Sequence, residues 1–271
     1  MLKKIFLNIP LRMVSKIYRF FYSEINELKE SKNKRIEYLS ESYKEIGIKE
    51  DRDKIIQRLN ICLKSLGLPS YDEDNGMYSE HLVIFTALSI SALKPKKILE
   101  LGTYLGVTSL ILSRLFPESL ITTIDLKDND PIFKNSYKRE QKFSEFIKKR
   151  NQFLKKAKNV NFVQSNSLFL TVNSNFKNQD LIWVDGAHGY PVVASDITNC
   201  LGNLNKKGIL MCDDVWKKLN KSDKMYSSIA SFETLSAFKE AKIIDTTFFR
   251  KRIGKKYNGN YKYISFSKLK N

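Results

Sequence analysis

One stretch, residues 96–115, constrains the fold of this chain more than any other. An apolar run at 98–101 leads into a turn with glycines at 102 and 106, and aliphatic residues follow at helical spacing up to position 115. A strand, a tight turn and a helix in this order place a ligand at a helix N-terminus, beyond the carboxyl end of the strand. Glu100 lies inside the strand, where an unpaired carboxylate is costly to bury, and it is therefore a candidate ligand contact.

The spacing of the glycines, Gly-x-x-x-Gly, differs from the G-x-G-x-x-G of dinucleotide sites and lacks the G-K-[ST] ending of a phosphate loop. The segment 100–106, Glu-Leu-Gly-Thr-Tyr-Leu-Gly, resembles the first motif of class I S-adenosylmethionine-dependent methyltransferases. The resemblance implies that the turn packs against the methionine part of this cofactor. The cofactor-binding residues predicted here are Glu100, Gly102, Thr103, Tyr104, Gly106 and Thr108. An ordinary strand-to-helix turn that uses glycine for left-handed backbone would also explain the motif.

Three further segments follow in the order that a nucleoside-bearing cofactor requires. A β-branched run ends at Asp125, where a carboxylate can accept hydrogen bonds from both ribose hydroxyls. A third run, 160–167, ends in a polar turn, and the resemblance implies that Asn166 and Ser167 contact the adenine, with Asn166 where an acid is more usual. It also implies that a segment upstream of the first strand covers the cofactor, with Met77, Ser79 and Glu80 as candidates. Polar turn chemistry alone would explain the residues at the third turn.

Two later strands end in acids. The apolar run 180–185 ends at Asp185 and is followed by His188, and the run 207–214 ends in Asp213 and Asp214. Because neighbouring parallel strands end at the same edge of a sheet, we expect these carboxylates to converge. Oxygen ligands in such a cluster suit a hard divalent cation such as Mg²⁺.

The arrangement resembles the metal-dependent small-molecule O-methyltransferases of the catechol and macrocin type. Those enzymes have an acid ending the fourth strand, a basic residue three positions on, and an acidic or acid–amide pair ending the fifth. The resemblance implies that His188 and Asp185 are catalytic, with neutral His188 as the base, and that Asp185, Asp213 and Asp214 bind a divalent metal or the substrate hydroxyl. The chain departs from the catechol pattern by His188 in place of lysine and Asp214 in place of asparagine. Local turn and capping chemistry is the alternative for these residues.

The predicted fold is α/β, a Rossmann-like seven-stranded, mostly parallel sheet with a C-terminal antiparallel hairpin, formed by 243–249 and 261–266. Residues 1–76 are predicted to form a helical N-terminal extension or lid, and residues 77–271 the methyltransferase domain. Within the extension, residues 11–21 form an amphipathic pattern interrupted by basic residues, too polar for a transmembrane helix. This pattern could lie on an anionic membrane surface or dock on protein. We favour docking, which includes a homo-oligomer formed through the N-terminal helices.

The formal net charge of +18 has two interpretations. It could mark an acidic partner such as RNA or a membrane surface, or it could reflect lysine used as a general surface residue. The second is favoured, because no RNP- or KH-type motif is present and the basic helix predicted over 136–157 reads as a solvated face. Three scattered cysteines without a CxxC pair indicate reduced thiols and a cytoplasmic protein, at most peripheral to a membrane.

These observations together predict an S-adenosylmethionine-dependent enzyme that methylates a hydroxyl of a small molecule, a sugar or a phenolic metabolite. Two alternatives remain open. The first is an RNA methyltransferase, motivated by the charge. The second is a non-catalytic peripheral membrane or scaffold protein that keeps the fold.

Overall fold

The computed structural model describes residues 38, 41–75, 78–136, 142–172, 174–218, 229–257 and 259–270. The helices in these residues are α1 (Arg52–Ser65), α2 (Glu80–Ile90), α3 (Val107–Leu115), α4 (Pro131–Asn135), α5 (Phe143–Lys156), α6 (Val192–Asn203) and α7 (Ala230–Glu240). The strands are β1 (Lys97–Leu101), β2 (Leu120–Asp125), β3 (Val160–Gln164), β4 (Gln179–Val184), β5 (Leu204–Val215), β6 (Ile244–Arg250) and β7 (Tyr263–Leu269). Met77 and most of the N-terminal extension, including its amphipathic segment, lie outside the described residues.

The seven described strands form one sheet in the order β3-β2-β1-β4-β5-β7-β6. Strands β1 to β5 pair in parallel, while β7 runs antiparallel to both β5 and β6. This confirms the predicted Rossmann-like sheet with its C-terminal antiparallel hairpin. The chain builds outward from β1 through β2 to β3 and then restarts on the other side with β4. A crevice therefore opens beyond the carboxyl ends of β1 and β4, where ligands bind in open α/β sheets.

Two hydrophobic clusters cover the two faces of the sheet. Side chains alternate along β4, so that Leu181 and Trp183 join the cluster under α1 and α2, whereas Ile182 and Val184 join the cluster under α6 and α7. Strands buried on both faces read as continuous apolar runs, which is why the inner parts of β1 (98–101) and β4 (181–184) are apolar apart from Glu100. The sheet is therefore a rigid support for whatever lies at its edge.

The described part of the N-terminal extension packs into the same core as the sheet. Arg52 of α1 lies 2.8 Å from the carboxylate of Glu80 in α2, and the hydroxyls of Tyr43 and Tyr71 donate to the same carboxylate at 2.6 and 2.8 Å. Burial by itself raises the pKa of Glu80, but the charge of Arg52 and the three sets of hydrogen bonds outweigh it and hold the pKa below its usual value. Glu80 thus anchors α1 to α2.

The basic helix α5 is not simply a solvated face. Its lysines are exposed, but Arg150 is buried and binds both carboxylate oxygens of Asp128, at 2.7 and 3.0 Å. The guanidinium also lies 4.6 Å from the centre of the Phe162 ring. Arg150 therefore ties α5 to the loop after β2 and to β3. Among the described helices, none has the length and apolar character needed to cross a membrane.

Candidate functional site

The glycine turn after β1 has left-handed backbone at both glycines. The φ angles are 98° at Gly102 and 72° at Gly106, and Gly106 caps the N-terminus of α3. An ideal Cβ on Gly102 would lie 2.2 Å from the carbonyl oxygen of Asp185. The end of β1 therefore passes against the end of β4 at a distance that only glycine permits.

A buried hydrogen-bond network lies beneath this turn. Glu100 is buried, and its Oε2 accepts from the hydroxyl of Ser109 and, at 2.7 Å, from that of Thr123. The hydroxyls of Thr123 and Thr103 share a further hydrogen bond of 2.7 Å. Burial raises the pKa of Glu100 to about 7, even though the two hydroxyls act against it. The strand acid is thus partnered within the protein and ties β1 to β2 and to the start of α3.

Asp125 lies directly beside the turn. One carboxylate oxygen accepts from the backbone N–H of Tyr104 and the other from that of Leu126, both at 2.9 Å. Tyr104 has a φ of 47°, and its half-exposed ring lies 5.3 Å from that of Phe146. Thr108, in the first turn of α3, is half-buried. The tertiary structure therefore brings together the glycine turn and the acid that ends β2.

The polar side chains of the turn after β3 already have partners within the protein. The side-chain oxygen of Asn166, the predicted acceptor for the adenine amino group, accepts from the backbone N–H of Leu168 at 3.0 Å and caps a single 3₁₀ turn, Ser167–Phe169. The hydroxyl of Ser167 bonds to the carboxyl of Asp196 in α6. Both side chains therefore have protein partners, and the contacts predicted for them with adenine stay predictions.

These residues fit S-adenosylmethionine, the cofactor that the sequence implies. The helix α3 begins beside the turn with the unpaired N–H groups of its first residues, a place that suits a polar ligand. A partly exposed acid ends β2 beside it. A compact, polar, partly cationic ligand can thus bind next to Asp125 without displacing the core.

At the neighbouring edge, His188 and Asp185 lie close together after β4. The distance between His188 Nε2 and Asp185 Oδ1 is 3.7 Å, and the histidine side chain is only 10% exposed. Burial lowers the pKa of His188 and the charges of Lys251 and Lys262 lower it further, against the opposing effect of two acids. The imidazole is therefore neutral at neutral pH, the form that accepts a proton.

Asp213 and Asp214 end β5 as predicted, but two lysines already bind them. The ammonium of Lys251 lies 2.5 Å from Asp213 Oδ2 and 2.6 Å from Asp214 Oδ1, and that of Lys262 lies 3.0 Å from Asp214 Oδ2. Burial and the neighbouring acids raise the pKa of Asp185, whereas the lysines hold the pKa of Asp214 below its usual range despite burial. The charge of the acid cluster is thus largely compensated within the protein.

The divalent cation predicted at Asp185, Asp213 and Asp214 is not confirmed. In the described ranges, no group of three or more His, Cys, Asp and Glu side chains has the geometry of a metal site. The positions around the two β5 acids are occupied by ammonium groups instead. The arrangement, as it stands, does not fit a divalent metal.

Lys251 and Lys262 are the functional candidates that the sequence interpretation missed. The sequence pattern places Lys251 in the turn between the last two predicted strands and Lys262 within the strand 261–266, and neither lysine is distinguished there. A signal was nevertheless present, because one lysine directly follows β6 and the other closely precedes β7. Residues in those positions of a hairpin face each other, and β7 is the neighbour of the strand that carries the acid pair.

Comparisons with known proteins bear on the fold and on the class of activity. Residues 99–215 match the family model described as a methyltransferase domain. Similar solved structures include cofactor-bound Rv0187 from MTB, at 15% identity and a TM-score of 0.51. The superposed residues are 82% of this chain and 92% of the Rv0187 chain. A proposed caffeoyl-CoA O-methyltransferase from Staphylococcus aureus has 15% identity, a TM-score of 0.50, and coverage of 86% and 98%. A proposed O-methyltransferase from Klebsiella pneumoniae has 15% identity, a TM-score of 0.50, and coverage of 84% and 94%.

No curated protein matches the chain in sequence. The likeness to solved structures establishes the shared fold, and the family model adds the class of activity. Residues 99–215 contain the glycine turn, Asp125, and the acids that end β4 and β5. Residues 99–215 therefore form a methyltransferase domain on the sheet of the class I, S-adenosylmethionine-dependent fold.

Proposed function

We propose that this methyltransferase acts on a hydroxyl group of a small molecule, such as a sugar or a phenolic metabolite. The proposal rests on one observation, the neutral imidazole of His188 beside Asp185 at the sheet edge that also holds the glycine turn. Methyl transfer to oxygen is an in-line displacement, so the attacking hydroxyl must be positioned and must lose its proton. A buried, neutral histidine at this edge has the chemistry to take that proton.

The residues at this edge of the sheet have different roles in the proposed reaction. When bound, S-adenosylmethionine supplies a methyl group on a sulfonium centre. His188 would take the proton of the acceptor hydroxyl and then return it to solvent. Asp185 Oδ1 lies 3.7 Å from His188 Nε2, beyond hydrogen-bond distance, and we assign it to positioning the acceptor hydroxyl. Asp213 Oδ1, which is buried without a hydrogen-bond partner among the described residues, can accept a hydrogen bond from the acceptor molecule.

The predicted help of Mg²⁺ or another divalent cation is not part of this proposal, because Lys251 and Lys262 occupy the acids that would bind it. The alternatives left open by the sequence, methylation of RNA and a non-catalytic role, are separated from the proposal by experiment.

Calorimetry with S-adenosylmethionine and S-adenosylhomocysteine is the first test, and absence of binding at millimolar ligand would refute a catalytic role. The second test follows the transfer of a radiolabelled methyl group to a panel containing a catechol, a sugar and structured RNA. The proposal predicts label in a hydroxyl compound and none with the variant His188→Gln. Label found in RNA alone would overturn the small-molecule acceptor.

A further inference from the structure

The acids at the end of β5 enclose a lysine, not an open cation site. We propose that the ammonium of Lys251 is the resident cation of the cluster formed by Asp185, Asp213 and Asp214, so that methyl transfer needs no divalent metal. The first half of this inference concerns cation binding and stands on geometry alone. The second half rests on the proposed function.

The pairing of β6 with β7 places Lys251 beside the acids that end β5. The paired residues Arg250 and Tyr263 end the ladder between β6 and β7, and Lys251 and Lys262 continue it by one pair. The backbone N–H of Lys251 donates to the carbonyl of Lys262 at 2.8 Å, and the carbonyl of Lys251 accepts from the N–H of Glu80 at 3.1 Å. Directly opposed residues of an antiparallel pair carry their side chains on the same face. Both ammonium groups therefore reach the end of β5.

A bulge in β5 lets both acids reach one ammonium. Cys212 pairs with Ser265 and Val215 with Tyr263, so three steps along β5 oppose two along β7. Asp214 takes up the extra residue with a φ of 50°, a conformation that aspartate tolerates better than most residues. In a regular strand, consecutive side chains point to opposite faces, and only one of the two carboxylates would face Lys251.

Two ammonium groups occupy three of the four carboxylate oxygens of Asp213 and Asp214, the oxygens that a divalent ion would use. Magnesium takes six oxygen ligands at roughly 2.1 Å, and calcium takes six to eight at roughly 2.3–2.6 Å. Lys251 and Lys262 bind Asp213 Oδ2 and both carboxylate oxygens of Asp214, which leaves Asp213 Oδ1 as the buried, unpartnered carboxylate oxygen of this pair in the described structure. A metal ion could enter only by breaking three charge-assisted hydrogen bonds and displacing an ammonium whose side chain is 17% exposed.

The decisive measurement is a Mn²⁺ titration of the full-length protein, with and without S-adenosylhomocysteine, followed by the electron paramagnetic resonance signal of free Mn²⁺. We expect no loss of signal with the wild-type protein up to millimolar Mn²⁺. The variant Lys251→Met removes the ammonium and keeps the side-chain length, and we expect it to gain Mn²⁺ binding by at least about tenfold. Lys255→Met is the matched control, an exposed lysine of the same turn, and it should behave as the wild type.

Stoichiometric Mn²⁺ binding by the wild type would overturn the inference, as would a folded Lys251→Met protein that binds no more Mn²⁺ than the control. Should Lys251→Met fail to fold, as judged by circular dichroism, the wild-type titration decides alone. Once an acceptor is identified, turnover should be equal in EDTA and in Mg²⁺, and a requirement for Mg²⁺ would refute the metal-free reaction. Calorimetry with S-adenosylhomocysteine on the same samples separates the two proposals. If this ligand does not bind, the methyltransferase function fails, while the Mn²⁺ result still reports on the cation.

Discussion

The substitution Gly102→Ala tests how tightly the site is built into the sheet. Its Cβ would lie 2.2 Å from the carbonyl oxygen and 2.6 Å from the carbonyl carbon of Asp185. Both atoms belong to backbone, so no side chain can rotate away. The ends of β1 and β4 would have to separate by more than an ångström to restore an ordinary contact of about 3.4 Å.

Two hydrogen bonds hold the end of β1 between its neighbours β2 and β4, and they determine the size of the effect. The N–H of Gly102 donates to the carbonyl of Ile124, and the N–H of Asp185 donates to that of Leu101, both at 2.8 Å. A buried hydrogen bond left unmade costs about 1–3 kcal/mol, and left-handed backbone costs a residue with a Cβ about 1–2 kcal/mol. We therefore expect Gly102→Ala to lower the free energy of unfolding by about 3–8 kcal/mol, a large part of the 5–15 kcal/mol that is usual for a folded protein.

Urea denaturation followed by circular dichroism measures this change, and two other glycines serve as controls. Gly202 lies inside α6 with open space around it, so Gly202→Ala should be neutral or should stabilise the protein by up to about 1 kcal/mol. Gly106→Ala meets a flexible leucine side chain at 3.0 Å in place of backbone, and its effect should lie between the other two. A loss of less than about 1 kcal/mol in Gly102→Ala would refute the argument that β1 and β4 require glycine there.

Four further changes test separate parts of the structure. Glu80→Gln should lower the free energy of unfolding by about 3–5 kcal/mol because it removes the buried counter-charge of Arg52, which then keeps only the more exposed Glu73. Glu118→Gln, at a fully exposed ion pair, should leave the stability nearly unchanged in the same urea assay. Folding raises the pKa of Glu100 from 4.5 to about 7, so the folded state binds the proton more tightly than the unfolded state. The free energy of unfolding should therefore fall by up to about 3 kcal/mol as the pH rises from 4.5 to about 7. Glu100→Gln should remove this slope in urea titrations at pH 5 and pH 8. Asp125→Ala should weaken binding of S-adenosylhomocysteine at least about tenfold by calorimetry, through loss of the ribose contact and of the bond that holds the glycine turn. His188→Gln should reduce turnover about 10²–10⁴-fold and leave that affinity unchanged.

Each of these expectations can fail in a distinct way. Equal destabilisation by Glu80→Gln and Glu118→Gln would mean that burial at Glu80 does not strengthen its ion pair. A wild-type pH slope retained in Glu100→Gln would assign the titration to another group. If Asp125→Ala leaves the affinity for S-adenosylhomocysteine unchanged, Asp125 does not bind the ribose. Full turnover in His188→Gln would mean that another group acts as the base.

Much of the fold was predictable because its signals are local. The apolar runs that became β1, β2, β4 and β5 are long enough to be recognised singly, and glycine or proline marks several of their ends. The order of the elements then restricts the topology, since parallel strands need crossovers and crossovers are right-handed. The convergence of Asp185 with the β5 acids followed from strand order alone.

Side-chain partners were not predictable in the same way, because they come from segments far apart in the chain. The sequence presented Glu100 as a ligand contact, and only the folded protein shows that Ser109 and Thr123 satisfy it. The chain likewise presented Arg150 as one base among many on a polar helix, yet it is the base that is buried against Asp128. A helical pattern identifies a face but does not identify what packs on it.

The amino-acid sequence by itself determined the class I fold and the sheet edge at which the candidate site lies, because periodicity, glycine turns and strand-end acids are properties of short segments. Only the tertiary structure decided what neutralises those acids. Lys251 and Lys262 are separated from Asp213 and Asp214 by more than thirty residues, and their placement depends on a hairpin pairing and a bulge of one residue in β5. Whether a carboxylate meets a metal ion or an ammonium is set by such register, since a shift of one residue turns every side chain of a strand to its other face.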